Sequence, residues 1–228
     1  MSNKAMDAGS DATQATNAPA RGTLVVVSSP SGGGKGTLIR RVLKSVPELS
    51  YSVSFTTRAP REGEVNGQHY FFVSPAEFEA LASADEFLEW AYVHGNRYAT
   101  SRTQVARELA EGRDIILEID VQGAANIRHS GIDAISVFIL PPSFEILRAR
   151  LIARGSENPA DLAVRLANSR GEVERYREFD YVVINDEAER AAAQLAAIIY
   201  ADRARRARQE QAAQEVLATF TPESSQSV

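Results

Sequence analysis

The ten residues Ser28-Ser29-Pro30-Ser31-Gly32-Gly33-Gly34-Lys35-Gly36-Thr37 constrain the fold of this chain more tightly than any other segment. An apolar, β-branched run, Thr23–Val27, precedes them, and Leu38–Leu43 follows with helical spacing. Strand, glycine loop and helix in that order make a phosphate-binding loop. Glycine lets the backbone come close to an anion and take positive φ, so that successive N–H groups converge on phosphate oxygens. The following helix adds the positive end of its dipole. Lys35 adds a mobile charge for the β- and γ-phosphates. The segment therefore implies a nucleoside triphosphate, held by Ser29, Pro30, Ser31, Gly32, Gly33, Gly34, Lys35, Gly36 and Thr37.

Two positions depart from the general loop pattern. Ser29 stands in place of the first glycine, and Gly36 in place of the hydroxyl residue that often ligates Mg²⁺. Thr37, one place further on, is the partial substitute. The Gly-Lys-Gly-Thr ending is similar to that of adenylate kinases.

The rest of the chain repeats the alternation that the loop demands. Ile115–Asp120, Ala134–Leu140 and Tyr181–Asn185 read as buried strands, the second stopped by Pro141-Pro142. Helical spacing covers Thr103–Glu111, Gln122–His129, Ser143–Arg154 and Asp161–Arg177. Short apolar strands alternating with helices predict an α/β fold, a parallel core sheet with helices on both faces. Residues 51–100 break the rhythm and read as a strand-rich insert, with a strand at Tyr70–Val73 and one helix near Pro75–Ser83. From Glu187 onward the Ala-rich sequence predicts one long helix, and its Arg203, Arg205, Arg206 and Arg208 read as a solvated face.

Composition excludes several classes. A length of 228 residues suits one domain with small inserts. The net charge of −5 argues against a general nucleic-acid binder. There is no cysteine for a thiolate nucleophile, and the three histidines have no second ligand at metal spacing. No apolar run approaches the ~18 residues of a membrane span. Residues 1–20 read as a disordered tail without the apolar segment of a secretory signal, which leaves the cytoplasm as the default. A homo-oligomer is compatible with the sequence, which carries no signal for one.

The acceptor chemistry is concentrated downstream. Arg58 and Arg61, three residues apart around Pro60, can clamp a phosphate, and Tyr70 and Tyr98 can add hydroxyl donors. Glu89, in Phe87-Leu88-Glu89-Trp90, is suited to guanine, whose N1–H and 2-amino group are a donor pair that adenine lacks. Asp120 ends an apolar strand where a second phosphate-loop motif puts a Mg²⁺-orienting acid. Strand alternation puts Glu118 on the same face. A structural pairing of these acids with arginine is the alternative.

With these motifs in view, the chain resembles bacterial guanylate kinases. The resemblance rests on the phosphate loop, Ser54-Phe-Thr-Thr-Arg-Ala-Pro-Arg-Glu-Gly-Glu-Val-Asn-Gly67, Phe-Leu-Glu-Trp, Gly95-Asn-Arg-Tyr98, Leu117-Glu-Ile-Asp-Val-Gln-Gly123 and Val-Ile-Asn-Asp near residue 185. It runs from about Gly22 to Arg206. It implies a nucleotide-binding core (21–53, 102–140 and 169–206), a GMP-binding insert (54–101), a lid region (141–168) and a C-terminal helix and tail (207–228). It implies transfer of a phosphoryl group from ATP to GMP, or dGMP, with Mg²⁺ held by Thr37 and Asp120. Lys35, Arg58, Arg154 and Arg165 become the catalytic set, and Arg150 and Asn185 join the ATP site. Ser54, Arg58, Arg61, Glu64, Tyr70, Glu89, Tyr98, Thr100, Glu118 and Asp120 become the GMP site. Two departures stand near that site: Arg97 where many members have tyrosine, and Ala99 where they have glycine, which is expected to shift the backbone of Tyr98 and Thr100. A ribose-bisphosphate kinase would lack the base-reading set Ser54, Glu89 and Thr100. A protein-binding module of this fold would usually lack a working loop lysine.

Overall fold

The computed structural model describes residues 21–93, 95–153 and 159–220. Arg154, His94 and the 1–20 segment, all singled out from sequence, lie outside them. The centre is β1 (Leu24–Ser28), buried at all five positions. It lies between β7 (Asp114–Glu118) and β8 (Ala134–Leu140), with β2 (Leu49–Tyr51) and β9 (Tyr181–Ile184) at the edges. All pairings in this five-stranded sheet are parallel. A strand covered on both faces has no polar side, which explains the unbroken valine run of β1.

Alternate residues of β1 seed two core layers. Val25 and Val27 pack with Leu38, Ile39 and Val42 of α1 (Lys35–Ser45) and with Ala191, Leu195 and Ile199 of α7 (Ala188–Arg203). Leu24 and Val26 pack on the other face with Val105 and Leu109 of α3 (Arg102–Ala110) and Ile127 of α4 (Val121–His129). The result is three layers, as the alternation of strands and helices requires.

The insert is a second sheet in the order β4-β3-β6-β5, built from β3 (Phe55–Thr56), β4 (Phe71–Phe72), β5 (Phe87–Val93) and β6 (Asn96–Ser101). Phe78, Phe87 and Ala99 form its own small core. The Ala99 methyl is thus used as packing, and Tyr98 and Thr100 remain in register with Ala91 and Glu89 across the hairpin. Arg97 pairs with Glu79 over the rings of Phe78 and Trp90. The helix α2 (Pro75–Ser83) starts at a reciprocal capping box between Ser74 and Glu77, with Pro75 in the first helical position.

Between β8 and β9 lie α5 (Phe144–Ala153) and α6 (Pro159–Glu174), the latter running unbroken past residue 168. The C-terminal stretch corrects the sequence reading. It is two helices, α7 and α8 (Arg206–Ala218), broken at Ala204-Arg205, although no glycine or proline marks the break. Tertiary ion pairs override the local propensity. Asp114, 2% exposed, accepts the Thr23 N–H (2.6 Å), Arg203 Nε (2.7 Å) and Arg208 Nη2 (3.0 Å). Asp202 accepts Thr23 Oγ1 (2.6 Å) and Arg208 Nη1 (3.0 Å). Arg203 and Arg208 are therefore not a solvated face, whereas Arg205 and Arg206 remain largely exposed. This cluster borders a cavity of about 730 Å³ at the amino edge of the sheet, remote from the carboxyl edge where α/β proteins bind ligands.

Candidate active site

The phosphate loop leaves β1 at that carboxyl edge. Gly32 and Gly34 take φ of 85° and 89°, which a side chain would strain. A Cβ on Gly34 would also lie 2.4 Å from Asn185 Nδ2. Asn185 is buried beneath the loop, and its Nδ2 donates to the Gly33 carbonyl (2.9 Å). Arg150 Nη1 donates to the same carbonyl (3.4 Å) and its Nη2 to the Asn185 carbonyl (2.9 Å). Both sequence-predicted donor residues thus meet the loop backbone and set its shape. Helix α1 opens without a side-chain cap and with no acid in its first turn. Its first N–H groups and its dipole are left for an anion.

Glu118 joins the two halves of the site. Its Oε1 lies 3.9 Å from Lys35 Nζ, and its Oε2 accepts the Tyr51 hydroxyl (3.2 Å). Burial and the Glu118 charge push the Tyr51 hydroxyl well above the usual phenol range, so it stays a donor. The same carboxylate lies against Gly36. A Cβ there would press to 3.2 Å of Glu118 Oε1, so the hydroxyl residue of the general pattern would crowd the acid. Asp120 corrects the sequence reading: β7 ends at Glu118, and Asp120 is the N-cap of α4, accepting the Gly123 N–H (2.9 Å). Strand alternation therefore does not relate the two acids, although both line one cavity.

That cavity, about 170 Å³, brings Ser29, Ser31 and Lys35 of the loop together with Ser54, Tyr70, Glu89 and Tyr98 of the insert. Glu89 is 7% exposed and accepts Thr100 Oγ1 (2.6 Å). Burial pushes its carboxyl up to about 7; the Thr100 bond pulls the other way and the Asp120 charge adds to the rise. Gly123 makes room for it, since a Cβ there would lie 2.7 Å from Glu89 Oε2.

Behind Tyr70, outside the cavity lining, Arg58 Nη2 pairs with Glu64 (2.8 Å), and its guanidinium lies over the Tyr70 ring at 5.3 Å. Burial draws the Arg58 pKa down, but the bonds to Glu64 and Tyr98 leave it above its ordinary value. Glu64 also accepts the Arg61 backbone N–H (2.7 Å), so one carboxylate holds the Arg58 guanidinium and the main chain of Arg61. The Arg58 bond holds the Glu64 carboxyl below the usual range. Burial and the Glu118 charge push Tyr70 up to about 12.

A family model described as guanylate kinase matches residues 21–202, which include the core sheet, the insert and both acids. The chain belongs to the guanylate kinase family. Among curated relatives, the guanylate kinase of Rhizobium meliloti is 50% identical over 189 residues, covering 82% of this chain and 86% of that one. The guanylate kinase of Aromatoleum aromaticum is 50% identical over 188 residues, covering 82% and 92%. The crystal structure of guanylate kinase from Anaplasma phagocytophilum superposes with a TM-score of 0.73 at 32% identity, covering 90% of this chain and 98% of that one.

Within this guanylate kinase site, three residues escaped sequence reasoning. Tyr51 carries no local signal and is found only through its bond to Glu118. Gly123 sits inside a recognised motif, but only the position of Glu89 gives it a task. Glu172 of α6 accepts the Ser31 N–H of the loop (2.9 Å). Its spacing of seven residues from Arg165 is a readable signal, two helical turns along one face. Arg165 itself is half-buried on α6.

Proposed function

We propose that the chain transfers the γ-phosphoryl group of ATP to GMP, giving ADP and GDP, and that dGMP is a second acceptor. The observation that carries this reading is the buried Glu89, bonded to Thr100 and facing the cavity that the phosphate loop lines from the other side. Glu89 would accept the N1–H and 2-amino donors of guanine, with Ser54 and Thr100 beside it. Arg58, Arg61, Tyr70 and Tyr98 would hold the GMP phosphate, which is itself a competent nucleophile and needs no general base.

On the donor side Lys35 and the loop N–H groups hold the triphosphate, while Arg150 and Asn185 keep the loop in shape. Arg154 and Arg165, from the lid region 141–168, spread the charge that develops in transfer. Phosphoryl transfer asks for positioning and charge stabilisation rather than covalent help. The insert 54–101 presents the acceptor in line, and closing the lid region over it excludes the water that would otherwise take the phosphoryl group.

Among the described residues no cluster of three or more acidic or histidine side chains forms a metal cage. The oxygens of Thr37 and Asp120 suit Mg²⁺, which in kinase sites keeps waters and phosphate oxygens and takes only one or two protein oxygens. Thr37 and Asp120 would supply them, with Glu118 between the two substrates. Bound there, Mg²⁺ would neutralise charge on the phosphate oxygens. We assign the reaction to the cytoplasm, where ATP and GMP are pooled; among the described residues no helix is long and apolar enough to cross a membrane. A coupled assay tests the proposal. ADP should form from ATP only with GMP or dGMP, and far more slowly with AMP, CMP or UMP. Equal rates with AMP would remove Glu89 from the base site.

A further inference from the structure

The bond from the Ser31 N–H to Glu172 ties the phosphate loop to α6, and no step of the reaction described above uses it. It joins positions 141 residues apart, the last turn of α6 and the apex of the phosphate loop. A carboxylate here is unexpected on electrostatic grounds. It lines the same cavity as Lys35 and Glu118, where an incoming triphosphate would be repelled by another negative charge. A neutral acceptor, or water, would serve the Ser31 N–H without that cost. What the carboxylate adds is a stronger, charge-assisted bond, and one that only α6 can deliver.

Two further observations say what the bond controls. Helix α6 runs without interruption from Pro159 to Glu174, so a restraint on its last turn fixes the rotation of the turns before it. Arg165 stands seven residues earlier, on the face that carries Glu172. Gly171, next to Glu172, has nothing within 4 Å of where a Cβ would stand, so that side of α6 is open, and Ser169 and Arg170, which lies over the Phe144 ring, hold the other sides.

We propose that Glu172 is a positioning residue: by accepting the Ser31 N–H it pins α6 to the phosphate loop and sets the approach of Arg165 to the donor phosphates. The inference rests on the donor-side reading of Arg165 given above. Its reach is the transfer step, since Arg58, Arg61, Glu89 and Tyr98, which would hold the acceptor, belong to the insert 54–101 and not to α6.

The test is steady-state kinetics on Glu172→Ala, Glu172→Gln, Arg165→Ala and the Glu172→Ala/Arg165→Ala double variant, each checked by thermal melt. Glu172→Ala is expected to lower kcat about 10- to 100-fold, the usual loss when a catalytic group is misplaced by about an ångström. The KM for GMP should move less than about twofold, since uniform binding is untouched. Glu172→Gln, whose amide oxygen accepts the same bond without the charge, should recover part of the rate. The double variant should be no slower than Arg165→Ala alone, because the two residues act as a unit. Wild-type kcat in Glu172→Ala, losses that multiply in the double variant, or a folded Glu172→Gln as slow as Glu172→Ala would each overturn the inference. Should Glu172→Ala melt early, Glu172→Asp keeps the charge but cannot span the bond, and a wild-type rate there overturns it equally. Failure of the underlying reading shows separately, as a wild-type rate in Arg165→Ala alone.

Discussion

Guanine recognition through Glu89 should carry a pH signature. In the empty site burial raises its carboxyl from 4.5 to about 7. The form that accepts two guanine donors is the carboxylate, so GMP must bind the ionised fraction. The apparent dissociation constant then scales as one plus the ratio of proton concentration to the acid constant. It is about 10-fold weaker at pH 6 than at pH 8, and at pH 7 binding should release roughly half a proton. The GMP phosphate takes up its own second proton near pH ~6, as phosphate monoesters do, so Glu89→Gln is the control that isolates the step. Titration calorimetry at pH 7 in buffers of different ionisation enthalpy reads the released proton directly. Equal proton release in wild type and Glu89→Gln would refute the reasoning. The sign of the stability effect follows from the same shift. The folded pKa lies above the unfolded one, so this group weakens the fold as pH rises from about 4.5 through 7, by about 3 kcal/mol once complete. The empty enzyme should therefore gain more from bound GMP at pH 8 than at pH 6.

Gly123→Ala puts a methyl where the Glu89 carboxylate lies and should raise the KM for GMP about 10-fold or more, the equivalent of ~1.5–3 kcal/mol for one charged hydrogen bond. The KM for ATP should not change, and a normal GMP KM would show that Glu89 has room to move. Asp114→Ala leaves Arg203 and Arg208 facing an empty partner position and should cost about 3–5 kcal/mol in urea denaturation. Below about 1 kcal/mol the cluster would be surface-like. The protein that remains folded should keep its kcat, because Asp114 lies at the sheet edge opposite the site.

Much of the fold is readable along the chain because its determinants are local. The loop needs glycines at positive φ, and Gly32 and Gly34 have it. The valine run of β1 could only be a strand covered on both faces, and Ser74-Pro75-Ala76-Glu77 starts α2 where it reads as starting. Residue type alone was enough to pick out Lys35 and Glu89, which the fold brings to one cavity. The site was not readable where the reason lies across the fold. The break at Ala204-Arg205 follows from Asp114, about ninety positions earlier. Asp120 looks like the end of a strand until the first turn of α4 claims it. Gly36 looks like a defect in the loop until Glu118 is seen against it.

The clasp at the amino edge of the sheet also orders events in time. Asp114 enters the structure with β7, but Arg203 and Arg208 follow 89 and 94 residues later. A nascent chain can lay β7 beside β1 long before any counter-charge exists for the acid between them. The central strands therefore gain their last seal only when α7 and α8 have left the ribosome. A chain cut short between Ile199 and Arg203 holds every residue of the catalytic edge but leaves Asp114 with the Thr23 N–H alone, a difference that a protease could read.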